Sequence, residues 1–142
     1  MDFARAVEVI LKVEGGAQVV EHPQDPGGIT KFGISLKAFP ELGRQGIIAL
    51  TREKAIELYR ERYWLAASCD KLPEDMRLLV FDSAVNQGPL QAIKTLQKTL
   101  GIVADGVCGA QTIRAATLAS GQDLPANFLA ERAKTYINLP TF

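Results

Sequence analysis

Glu14, Asp25 and Thr30 lie close together near the start of the chain, within EGGAQVVEHPQDPGGITKFGI, residues 14–34. A carboxylic acid can protonate a leaving oxygen, and a carboxylate with a hydroxyl can hold or activate a water on the far side of the same bond. That set suits acid-assisted cleavage of a glycosidic linkage. Each member also has a plainer reading. Glu14 could be a solvent-facing residue at a helix end, Asp25 in DPGG is ordinary turn chemistry, and Thr30 could simply be a strand residue.

The elements that must position these groups follow from periodicity. Asp2 can cap a first helix. Phe3, Ala6, Val7, Ile10, Leu11 and Glu14 then fall on one face, and Gly15-Gly16 end the helix. Glu14 therefore continues an apolar stripe and also meets the negative end of the helix dipole. Partial desolvation at such a place is expected to raise its pKa toward the range where a general acid works. Residues 21–34 begin as a Pro/Gly turn and continue as a short strand or hairpin. Ser35 can cap a short helix ending near Pro40. Residues 40–50 read as loop, with one extended piece at 47–50.

Further on, Thr51 caps a helix with Ala55, Ile56, Tyr59 and Tyr63 on one face, running to about Trp64. Tyr59, Tyr63 and Trp64 read either as core or as a sugar platform. Trp64, at the helix end, is the best stacking surface of the three. Pro73 suits the first turn of a helix through Asn86 that is apolar nearly all round, as a buried central helix would be. Asp82 and Asn86 share a face of it. They form either an internal hydrogen-bond network or the polar floor of a cleft. Gly88-Pro89 breaks this helix and starts another, capped by Gly101. Asp105-Gly106 is a turn, Gly109 precedes a short helix, and Asp123 can cap a last one, ended by Pro140.

The 142 residues suit one domain, with 47% apolar content and sixteen basic against sixteen acidic residues. That balance excludes an electrostatic case for nucleic acid or anionic lipid. No run approaches the roughly 18 apolar residues of a membrane span, and Asp2, Arg5, Glu8 and Lys12 interrupt the first helix, so no signal peptide is read. Cys69 and Cys108 fit no metal spacing and read as free half-buried thiols, and His22 has no ligand partner. No metal or cofactor is expected, and a neutral monomer is the default.

VEGGAQVVEHPQDPGGITKFGIS resembles the N-terminal motif of phage-type N-acetylmuramidases of glycoside hydrolase family 108: EGG, a spacer, DPGG, then T-K-[YF]-G-I-[TS]. FDSAVNQGPLQAIKTLQKTLGIVADGVCGAQTI resembles the predicted peptidoglycan-binding segment that follows in that family. Together the motifs cover most of the chain. The resemblance implies a mostly α, lysozyme-like helical domain over 1–142, with a small β-hairpin or loop lobe near residues 21–50. Residues 1–70 would be the catalytic part and 71–142 a helical part that completes the fold rather than a free-standing module. It implies Glu14 as the essential acid, with Asp25 and Thr30 positioning water or stabilising charge by analogy with phage lysozymes. Gly28, Lys31, Phe32, Trp64, Asp82 and Asn86 make up the expected substrate-binding set. Phe32 stands where tyrosine is frequent, so a hydroxyl contact is lost there. Members usually continue past the last helix into a tail with a Gly-Trp-x-x-Arg-like segment, whereas this sequence stops at Phe142. Where such a tail packs on the core, its lack is expected to lower stability or activity.

The function implied is hydrolysis of the β-1,4 bond between N-acetylmuramic acid and N-acetylglucosamine in peptidoglycan, by an endolysin held in the host bacterial cytoplasm until other proteins open the membrane. A carboxyl separation of about 5 Å would suggest retention and one of about 6.5–9.5 Å inversion. A lytic transglycosylase using the same acid, or a non-catalytic wall-binding protein, are the alternatives.

Overall fold

A computed structural model describes residues 1–21 and 28–137. Among these, seven α-helices accompany one two-stranded antiparallel hairpin, which is the mostly helical class the sequence implied. The helices are α1 (Phe3–Glu14), α2 (Gly43–Ile48), α3 (Arg52–Tyr59), α4 (Glu74–Gln87), α5 (Pro89–Leu100), α6 (Ala110–Ala119) and α7 (Leu124–Ile137). The strands are β1 (Thr30–Lys31) and β2 (Ile34–Ser35). Asp25, His22 and Pro140 lie outside the described residues. The chain divides into two compact units, one of Val7–Tyr59 and one of Met1–Ala6 with the chain from Arg60 onward.

In the Val7–Tyr59 unit, the stripe on α1 behaves as its spacing demands, with Val7, Ile10 and Leu11 buried. Asp2 Oδ1 accepts the Arg5 N–H at 3.0 Å, which caps the helix start, and Gly15 N–H donates to Leu11 O at 3.1 Å at its end. The hairpin pairs Thr30 with Ser35 and Lys31 with Ile34. Its two turn residues, Phe32 (φ 54°) and Gly33 (φ 75°), are both left-handed, the backbone that matches strand twist in a two-residue hairpin. Val20 adds to its edge through a reciprocal pair of hydrogen bonds with Thr30, both 2.8 Å. Ile29, Ile34, Phe39, Ile47, Leu50, Ala55 and Tyr59 supply the buried side chains.

Two local expectations are corrected here. The Ser35 hydroxyl does accept the Ala38 N–H at 3.1 Å, but it closes a turn, not a helix. Residues 40–50 are neither loop nor extended. A 3₁₀ turn, Pro40–Leu42, leads into α2. Gly43 and Gly46 lower intrinsic helix preference by about 1 kcal/mol each, which hid α2 from a propensity reading. Burial of Ile47 overrides them. The next helix begins as expected, with Thr51 Oγ1 accepting the Lys54 N–H at 3.1 Å. After Tyr59 the coil widens into a π-helical stretch, Arg60–Leu65.

In the other unit α4 is central, packing against α5, α7 and the π-helical stretch, with Met76, Val80, Phe81, Ser83 and Ala84 buried. Phe3, Trp64 and Phe81 form an aromatic cluster, with Trp64 edge-on to Phe3 (5.5 Å, 62°) and to Phe81 (5.3 Å, 89°). The segment between α5 and α6 is organised by buried Gln97. Its Nε2 shares two protons among Asp105 Oδ1 (2.8 Å), Val107 O (3.0 Å) and Thr112 Oγ1 (3.1 Å), and its Oε1 accepts the Gly106 N–H at 2.9 Å. Gly106 has φ 80°, a left-handed backbone that favours glycine.

Candidate active site

Glu14 is the last residue of α1 and is half-buried. The helix ends on it because the Gly15-Gly16 pair that follows leaves the helical path, so its side chain is delivered at a terminus and not along a packed face. It borders a pocket of about 160 Å³, lined by residues 14–16, Gln18, Val20 and residues 30–33. The structure thus brings together Glu14, Thr30, Lys31 and Phe32 of the expected set.

Each of these is held by a different part of the Val7–Tyr59 unit. Thr30 is fixed by its two main-chain bonds to Val20 and lines the pocket. Lys31 Nζ donates to Ile48 O at the C-terminus of α2 at 2.7 Å and lies 5.8 Å from the Phe32 ring centre. Its ammonium is anchored by the helix end, a favourable place for a cation. Phe32 is largely buried, and its main chain is fully engaged. Its N–H donates to Gly16 O at 3.1 Å, and its carbonyl accepts the Tyr59 hydroxyl at 2.8 Å. Gly28 is buried and borders neither Glu14 nor the rest of this pocket.

The remaining expected residues belong to the other unit. Trp64 is 3% exposed. A stacking platform needs an open ring face, so the sugar-platform expectation gives way to the core reading there. Asp82 Oδ2 accepts from Arg132 Nη1 at 2.7 Å and Asp82 Oδ1 from Asn86 Nδ2 at 3.2 Å, while Asn86 is exposed. The two residues are hydrogen-bonded to each other at a partly exposed place.

Sequence reasoning passed over Gln18, Val20 and the placement of Tyr59. Tyr59 read as core, and it is fully buried, but nothing in helical spacing shows that its hydroxyl ends on the hairpin turn. Cys69 and Cys108 are both free. Burial pushes the Cys69 thiol well above its usual range, and burial also raises Cys108, so neither is a ready nucleophile. Among the described residues no group of three or more His, Cys, Asp or Glu could hold a metal.

A carboxylic acid at the end of α1 thus borders the same pocket as a threonine on a short hairpin. The chain belongs to the glycosyl hydrolase 108 family, whose model matches residues 7–88, more than half of it. Among solved structures it is similar to SagA of Brucella abortus, with 35% identity, a TM-score of 0.87, and coverage of 99% of this chain and 82% of that one. No curated protein matches.

Proposed function

We propose that the protein cleaves the β-1,4 bond between N-acetylmuramic acid and N-acetylglucosamine in peptidoglycan, with Glu14 as general acid. The observation that carries this reading is Glu14 at the wall of a pocket it shares with Thr30, in a chain of a glycosyl hydrolase family whose members act on peptidoglycan. Glu14 gives its proton to the glycosidic oxygen as the bond to the anomeric carbon breaks, and positive charge develops on the ring. A water adds to that carbon and loses its proton, and the product carries a new reducing end. Thr30 orients that water, and Asp25 assists or stabilises the charge.

The test is turbidity clearing and reducing-end release on purified peptidoglycan, with Glu14→Gln beside the wild type. Glu14→Gln keeps shape and loses the proton, and a fall of about 10²-fold or more is expected. Clearing by the wild type without reducing ends would mean that a sugar hydroxyl, not water, attacks. A Glu14→Gln protein as active as the wild type would remove Glu14 from the chemistry. A phage setting belongs to the same proposal, with the enzyme accumulating inside the bacterium and reaching the wall after release. Expression inside cells should then cause lysis only once the inner membrane is permeabilised.

A further inference from the structure

The root of Glu14 is gripped by something the hydrolysis does not itself call for. A Cβ built on Gly33 would lie 2.6 Å from Glu14 Cβ and would overlap the Tyr59 hydroxyl. The Gly33 backbone is therefore wedged between the acid's first methylene and the tip of a buried tyrosine. The same turn is stitched twice more. Phe32 N–H donates to Gly16 O, two residues beyond Glu14, at 3.1 Å, and the Tyr59 hydroxyl donates to Phe32 O at 2.8 Å. Tyr59 is fully buried on α3 and is not among the residues that line the pocket. Phe32 and Gly33 do border it, beside Glu14.

From this geometry we infer that Tyr59 is a positioning residue for Glu14, acting through the Phe32–Gly33 turn. The inference rests on Glu14 being the acid. A buried tyrosine hydroxyl needs a hydrogen-bond partner somewhere. Here the partner is a carbonyl in a turn whose two residues both hold left-handed backbone, one of them a phenylalanine for which that conformation is costly. The bond holds the turn against the end of α1. With the turn in place, Glu14 Cβ cannot swing toward it, which narrows the directions open to the carboxyl. A general acid depends on aim, and displacement of the order of 1 Å lowers turnover steeply. Tyr59→Phe keeps the ring and removes the hydroxyl's hold on Phe32 O. Gly33→Ala pushes on both neighbours at once. In the double variant the hydroxyl is gone, so the alanine methyl presses on Glu14 alone.

The experiment measures kcat and KM for reducing-end release by Tyr59→Phe, Gly33→Ala, the double variant and Glu14→Gln. Each is assayed well below its own unfolding midpoint, read by circular dichroism. Tyr59→Phe is expected to lower kcat about tenfold with KM near wild type, the signature of lost alignment and not of lost binding. The double variant should lose less than the product of the two single losses, because they share a contact. A folded Tyr59→Phe protein with wild-type kcat, alongside an inactive Glu14→Gln, overturns the positioning role and leaves the acid assignment standing. A fully active Glu14→Gln overturns both. If Tyr59→Phe is unfolded at the assay temperature, it is assayed at a lower temperature where circular dichroism shows it folded, and the same two outcomes decide: reduced kcat supports the role, and wild-type kcat overturns it.

Discussion

Single side chains in this protein carry weight out of proportion to their number of contacts. Gln97 bonds Asp105, Thr112 and the Gly106 N–H together, and an apolar residue of similar size would leave the Gly106 N–H without this acceptor and take one donor each from Asp105 and Thr112, which keep their bonds to Val107. Gln97→Leu is expected to cost about 1–3 kcal/mol, the cost of one part-buried group left without its partner, and denaturant titration would measure it. Asp105 adds a pH signature. The Val107 N–H and then the Gln97 amide hold its carboxyl below the ordinary value of 3.8. Its contribution is therefore complete above pH 3.8 and is lost as pH falls through the lower folded value. Asp105→Asn should flatten that acid limb, seen by comparing unfolding midpoints of variant and wild type from neutral pH downward. Legibility at this scale was uneven. Glu14 was visible because a carboxylate on an apolar stripe before two glycines is locally inconsistent. Gln97 and Tyr59 were not, because a polar atom's partner across the fold leaves no trace in spacing.

At the scale of elements, what could be read was where helices begin and break. Asp2, Thr51, Pro73 and the Gly88-Pro89 pair all mark the ends at which the structure places them, since caps and breakers act through neighbouring backbone. Thr51→Ala should cost about 1 kcal/mol, measurable by thermal unfolding, because Thr51 Oγ1 is the acceptor for the Lys54 N–H at the start of α3. Where tertiary burial overrode local preference, spacing misled. The six residues of α2 contain two glycines, and only the burial of Ile47 explains why they coil. The π-helical widening at Arg60 likewise has no marker in composition, and it shows that a periodic stripe running on to Trp64 does not guarantee an unbroken α-helix.

For the whole molecule, the helical class and the family motifs were legible, because hydrophobic periodicity and turn chemistry are local. The grouping of α1's first turn with the helices after Arg60 was not, since it depends on long-range contacts. The sole tryptophan offers a global probe. Trp64 sits against Phe3 and Phe81 and is nearly inaccessible. Its emission should be blue-shifted in the native protein, shift red in one step with denaturation of that unit, and stay unchanged when glycan fragments are added. A glycan-dependent change would restore Trp64 as a stacking surface. The balance of sixteen positive and sixteen negative residues predicts weak salt dependence of the rate on anionic walls, checked by clearing assays at increasing ionic strength.

The reciprocal bonds between Val20 and Thr30 register the chain on both sides of the segment that carries Asp25. Val20 holds Thr30 by main-chain atoms alone, and its own side chain is exposed at the wall of the pocket. That side chain can be exchanged, by drift or by library, while the threonine keeps its frame, and selection for a new wall chemotype has a place to act without rebuilding the fold.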